Sequence, residues 1–269
     1  MLRNIITSRF VALIAAVLVA LTFAAGVEAS HSWGGYHWAR TSNPFTLKLG
    51  DNVTAAWDGY LSQTSVDWSV STVLDTTVVA GTTNSKNCKA VQGTVQVCNS
   101  AYGNTGWLGL AQIWISGSHI TAGTTKLNDT YFKSGTYNTP GWRQMVTCQE
   151  VGHTFGLDHQ DEAFNNPNLG TCMDYTNDPM RNDGFGNNLH PNAHDYEELA
   201  IIYGHLDSSA TIKSTTASRG ASALAQSDGF ENASDWGKAI GKDAAGRDNE
   251  FERDLGNGNK LITHVFWAR

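Results

Sequence analysis

The stretch TCQEVGHTFGLDH, Thr147 to His159, decides how the rest of the chain is read. It sits at the end of GWRQMVTCQEVGHTFG, where Met145, Cys148, Val151, Gly152 and Phe155 recur at helical spacing after Pro140. On a helix, residues four apart lie on one face, so Gln149 and His153 point the same way and Glu150 sits one step round. Gly156 is a natural left-handed stop. Past it the chain can reverse and bring His159 back towards His153. Two positions on a helix, a glycine hinge and a third from the turn converge on one point.

That convergence suits a metal ion. A catalytic zinc takes three protein ligands and keeps one position open for water. A carboxylate such as Glu150 can take a proton from that water and pass it to a leaving group. Glutamine at the first position departs from the ideal set. Its amide oxygen suits harder cations better than zinc, which prefers imidazole and thiolate. Three arrangements stay open: Gln149 ligates through its oxygen, a histidine from elsewhere (His119, His190 or His194) fills the gap, or the site holds no zinc.

The run Q-E-V-G-H-T-F-G-L-D-H resembles the metzincin zinc metallopeptidases at every motif position but the first, where they carry histidine. A second mark is TCMDY. Met173 lies 14 residues after His159, at a distance suited to the methionine turn of that family, and Met173-Asp174-Tyr175 is similar to its Met-x-Tyr version. A third is HDYEELAIIYG, which resembles the C-terminal helix of the matrixin and serralysin branches. Together these marks span roughly residues 40–205. The resemblance implies an α+β, zincin-like domain with a twisted mixed sheet, two long helices and an irregular C-terminal subdomain containing the methionine turn. It implies zinc held by His153, His159 and Gln149, Glu150 as general base and then acid, and Tyr175 as a donor to the oxyanion. It also implies a peptide or protein substrate that pairs as an extended strand along the sheet edge.

Competing readings belong to other classes. A non-catalytic, metzincin-like binding or structural module would keep the fold without the chemistry. A hydrolase for a non-peptide amide or ester would keep the chemistry on another substrate. Asp161 and Glu162 read most simply as solvated carboxylates, although one beside a ligating histidine can orient it. Trp33, His31, His37 and Trp38 read as packing or as part of a loose arm.

Around the motif, RTSNPFTLKLG (40–50) reads as a first strand, with Asp51 placed to cap the helix after it. In that helix Val53, Trp57, Tyr60, Leu61 and Thr64 form one apolar face. VLDTTVVAG and VQGTVQVC read as strands, LGLAQIWISGSHIT (108–121) as one long strand, and KLNDTYF as a further short one. Residues 208–227 are small and polar and read as a linker. Residues 228–269 regain pattern only in KLITHVFWAR, one strand that docks somewhere, so this segment reads as an extension of unknown role.

Residues 1–29 have the form of a secretory signal: Arg3 and Arg9, an apolar run of about 17 residues at the short end for a spanning helix, and a small-x-small exit at Val27 and Ala29. The alternative is a membrane anchor. Cleavage would leave a domain over 30–207, exported to the periplasm or the extracellular space, with no further contact with the membrane. About ten residues would then precede the first strand, too few for a sizeable pro-domain. Loss of Arg3, Arg9 and Glu28 would leave 16 basic and 24 acidic residues, a charge of −8. Such a surface excludes nucleic acid and anionic membrane as natural partners, and the protein is expected to be a monomer. The four cysteines, Cys88, Cys98, Cys148 and Cys172, suit two disulfides in an exported protein. Cys88–Cys98 and Cys148–Cys172 are the favoured pairs of three possible sets.

Overall fold

The computed structural model describes residues 31–133, 135–212, 230 and 232–269. The expected signal and most of the expected linker lie outside them. The fold is mixed α+β. Its elements are β1 (His37–Trp38), β2 (Phe45–Asn52), α1 (Asp58–Trp68), β3 (Leu74–Ala80), β4 (Val95–Ser100), β5 (Trp107–Ser116), β6 (His119–Asn128), the single turn α2 (Asp129–Phe132), α3 (Pro140–His153), α4 (Ala193–Ile202), β7 (Lys238–Lys242), β8 (Asp248–Gly256) and β9 (Asn259–Trp267). The sheet runs β3-β2-β4-β6-β5-β9-β8-β7, with β1 paired to β6. The strands from β3 to β6 are parallel, whereas β5, β9, β8 and β7 alternate in direction.

The helix of the opening motif forms where its period predicts. Thr139 caps α3 by accepting a hydrogen bond from Trp142 N, and Pro140 takes the first helical position, where a missing N–H costs nothing. The helix ends at His153, and Gly156 then adopts φ +93°. A Cβ at 156 would stand 2.0 Å from Tyr36 O, so the reversal requires glycine on two counts. Helix α1 packs beside α3. Trp68 is fully buried and its indole donates to Cys148 O at 3.2 Å. Burying side chains such as Leu61 and Trp68 contributes about 2 kcal/mol each. Both favoured disulfides are formed, Cys88–Cys98 and Cys148–Cys172.

Several sequence expectations need correction. The strand expected over 40–50 is β2, which starts at Phe45 and follows the short β1. Asp51 lies within it and caps nothing. Its carboxylate accepts from Val53 N, and α1 starts at Asp58 after an N-cap, Trp57, with no side-chain bond. The run 108–121 is two strands, because Gly117 at φ +64° turns a hairpin between β5 and β6. In KLNDTYF only the first three residues are strand. Asn128 then caps α2 by accepting from Thr130 N. The C-terminal segment supplies three strands rather than one. β9 pairs along the length of β5 and inserts its apolar residues into the core, with Ile262 and Phe266 on the helix side. Leu261 and Val265 pack on the other face with Phe230 and Trp236.

Candidate metal centre

Three imidazoles meet beneath α3. His153 ends that helix, His159 follows the Gly156 reversal and His264 lies mid-way along β9. Their ligand atoms all lie within 4.8 Å of one another, and all three residues are buried. His153 Nε2 and His159 Nε2 are 3.1 Å apart. The edge of a tetrahedron with zinc–nitrogen bonds of ordinary length is about 3.3 Å. The ring centroid of His264 stands 4.0 Å from that of His153 and 4.6 Å from that of His159.

The remaining nitrogens are held. His153 Nδ1 donates to Leu157 O at 2.9 Å, which turns its Nε2 lone pair inward. His159 Nδ1 lies 2.9 Å from Glu162 Oε1, so Glu162 is the carboxylate that orients a ring of the triad. Asn249 on β8 donates to the same oxygen at 2.8 Å. His264 Nε2 is 3.0 Å from the Tyr175 hydroxyl, and His264 Nδ1 is 3.6 Å from Glu150 Oε2. Within the protein, His264 Nδ1 and both Glu150 oxygens are buried without hydrogen-bond partners. A metal ion and its water would satisfy such orphaned groups. The donor set, the fixed tautomers and the unpartnered carboxylate fit zinc.

Electrostatics favour the neutral form of His153 and His264 but not of His159. Burial, followed by the neighbouring His159, holds the His153 imidazole well below its usual range. His264 is lowered likewise by burial and then by His153 and His159. Burial pushes His159 down too, but the Glu162 hydrogen bond and the charges of Asp158, Glu162 and Glu250 overcome it and raise that ring. Burial drives the Glu150 carboxyl well above the ordinary carboxylate range. Tyr175 is raised by burial and by Glu162.

The β5 residues that face the site are small. Ala111 on β5 and Glu250 on β8 both stand opposite His264, so the three share one face. Next along β5, Gly109 faces Glu150. A Cβ there would lie 2.6 Å from Glu150 Cγ and Oε1. Trp33 closes another side. Its ring stacks on His153 at 5.0 Å, and its indole N–H donates to Glu250. Glu250 itself is raised to about 7, by burial and then by Asp158. A cavity of about 190 Å³ opens beside His159, lined by Asp158, Glu162, Lys242, Asn249 and Glu250 among others.

The residues singled out from sequence take different places. His153, His159 and Glu150 come together, with Tyr175 against His159 at 4.3 Å between ring centroids. Gln149 is fully buried and its amide donates to Cys172 O at 2.7 Å, while its Oε1 has no hydrogen-bond partner. His190 bonds Asp67, His194 packs against His31, and His119 approaches Asp207. Met173 is buried, with its sulfur beside Gly152. Trp38 is packed, its indole donating to Thr154 O at 2.9 Å. His264 was not foreseen. A lone histidine inside the strand pattern of KLITHVFW was the only mark it left.

No family model and no characterised protein sequence matches the chain. Among solved structures it is similar to myroilysin, in one structure with 13% identity and a TM-score of 0.37 over 65% of this chain and 98% of that one. In a second myroilysin structure the identity is 12% and the TM-score 0.33, over 67% and 97%. It is also similar to high choriolytic enzyme 1, a hatching enzyme zinc-protease from the medaka fish Oryzias latipes. There the identity is 11% and the TM-score 0.34, over 62% of this chain and 94% of that one. Apart from these comparisons, the chain holds a buried triad of histidines.

Proposed function

We propose that the chain is an exported, zinc-dependent peptidase whose metal is held by His153, His159 and His264. The observation that carries this reading is the convergence of the three buried imidazoles with the Glu150 carboxylate 3.6 Å from one of them. When bound, zinc would acidify a water molecule and polarise the scissile carbonyl. Glu150 takes the proton of the attacking water and delivers it to the leaving amine as the C–N bond breaks. A buried carboxyl with a raised proton affinity suits that double task. The Tyr175 hydroxyl donates towards the oxyanion that forms on the carbonyl oxygen. Gln149 braces Cys172 O, and Glu162 keeps His159 in register. The two disulfides support an oxidising compartment. Among the described residues no helix is long and apolar enough to cross a membrane.

One observation favours a second reading. The resemblance implied a substrate strand along a sheet edge, but β9 fills the side of β5 away from β6, and His153, Glu150 and His264 are wholly enclosed. A closed, non-catalytic module that kept the metal centre as a staple accounts for both facts. Zinc content and peptide cleavage separate the two. The peptidase reading expects zinc in the mature protein and chelator-sensitive cleavage that disappears in Glu150→Ala. Bound zinc with no cleavage in the unsubstituted protein supports the module.

A further inference from the structure

A second constellation of metal-ligating groups lies outside the triad. His37 Nε2 and His205 Nε2 are 3.1 Å apart. Asp207 Oδ1 is 3.5 Å from the first and 3.7 Å from the second. The three atoms form a nearly equilateral triangle, and its edges bracket the value of about 3.3 Å expected for one face of a tetrahedral zinc site. His37 comes from β1, and His205 and Asp207 from the turn after α4.

Each group is prepared for the task. His37 is buried, and its Nδ1 donates to Gly35 O at 2.9 Å, which leaves the Nε2 lone pair facing Asp207. Asp207 divides its oxygens. Oδ2 accepts from Arg40 N at 3.1 Å and from Arg40 Nη1 at 2.9 Å, and Oδ1 is left for the histidines. The guanidinium opposes a cation nearby, but its charge is matched at Oδ2. His205 is half exposed, so an ion can enter from solvent and keep a water at the fourth position. His119 Nε2 also approaches Oδ1, at 3.1 Å. Three imidazoles therefore crowd one carboxylate oxygen. Hydrogen bonds alone can satisfy two of them through its lone pairs, whereas a cation bound to His37, His205 and Asp207 leaves Oδ1 free to accept from His119.

We propose that His37, His205 and Asp207 bind a second divalent ion of the zinc class, with a structural role. It would fasten the N-terminal arm to the turn after α4, and that arm carries Trp33, which stacks on His153.

The test counts zinc on the folded full chain by equilibrium dialysis and elemental analysis, comparing the unsubstituted protein with His205→Ala and His205→Gln. Position 205 is exposed enough for both variants to fold, which circular dichroism verifies. The expected result is one zinc equivalent fewer in each variant, and a zinc-induced rise in Tm smaller than that of the unsubstituted protein. Equal zinc content in all three proteins overturns the proposal. Because the readout is a difference, it stands whether or not the triad binds zinc.

Discussion

His264 Nδ1 lies 3.6 Å from Glu150 Oε2, and both side chains are fully buried. The contact ties the C-terminal strand to the helix of the opening motif, so the tail is part of the candidate metal site. His264→Ala should lower zinc affinity by at least about 100-fold, since loss of a ligand exceeds the effect of losing an outer partner. Zinc titration measures it. The point substitution is a better test than truncation, because removing β9 would uncover the edge of β5 and the apolar residues packed on it.

Glu150→Ala should retain zinc and lower kcat by about 100- to 10,000-fold, the usual contribution of a positioned acid–base group. Steady-state kinetics beside metal analysis check both halves. Loss of zinc together with activity would assign Glu150 to holding the site instead.

Gln149 offers a test between two ligand sets. Its amide hydrogen bond to Cys172 O is buried, so Gln149→Ala should reduce stability by about 1–3 kcal/mol while zinc affinity stays unchanged. Denaturant melts and zinc titration measure these. A collapse of zinc binding would return Gln149 to the ligand role that the motif spacing suggested.

Breaking Cys148–Cys172 opens a loop with a sequence separation of 24 and should cost about 3 kcal/mol. The bridge joins α3 to the segment that carries Met173 and Tyr175. Cys148→Ser with Cys172→Ser should therefore weaken zinc binding at temperatures well below the melting of the whole domain. Simultaneous loss of both would contradict that local role.

Asp174 supplies a pH signature through its burial. Burial raises its carboxyl to about 6, and its Oδ1 has no hydrogen-bond partner, while Leu169 N and Asn188 donate to Oδ2. A raised carboxyl makes the folded state bind the extra proton. Its contribution is fully present below about pH 4 and is lost as pH rises to about 6, a change of about 3 kcal/mol. Asp174→Asn should flatten stability over that window in denaturant melts at pH 4, 5 and 6. An unchanged slope would place the titration elsewhere.

What the sequence made legible was local. The period of α3 after Pro140, the stop at Gly156 and the return of His159 are set by residues within one or two turns of each other. The helix HDYEELAIIYG and both disulfide pairs were legible for similar reasons. What escaped was non-local or hidden by composition. LGLAQIWISGSHIT reads as one continuous strand pattern, and the turn between β5 and β6 at Gly117 does not stand out among its other small residues. β7 is short, and both β7 and β8 are heavily charged, so hydropathy does not reveal them. His264 meets His153 through sheet pairing, and no spacing rule reaches that far.

The most direct test of the central claim is zinc X-ray absorption spectroscopy on the His205→Ala protein, which lacks the exposed ligand of the proposed second site. Three imidazole nitrogens at about 2.0–2.1 Å are expected, falling to two when His264→Ala is added. Two imidazoles and an oxygen, unaltered by the loss of His264, would contradict the account.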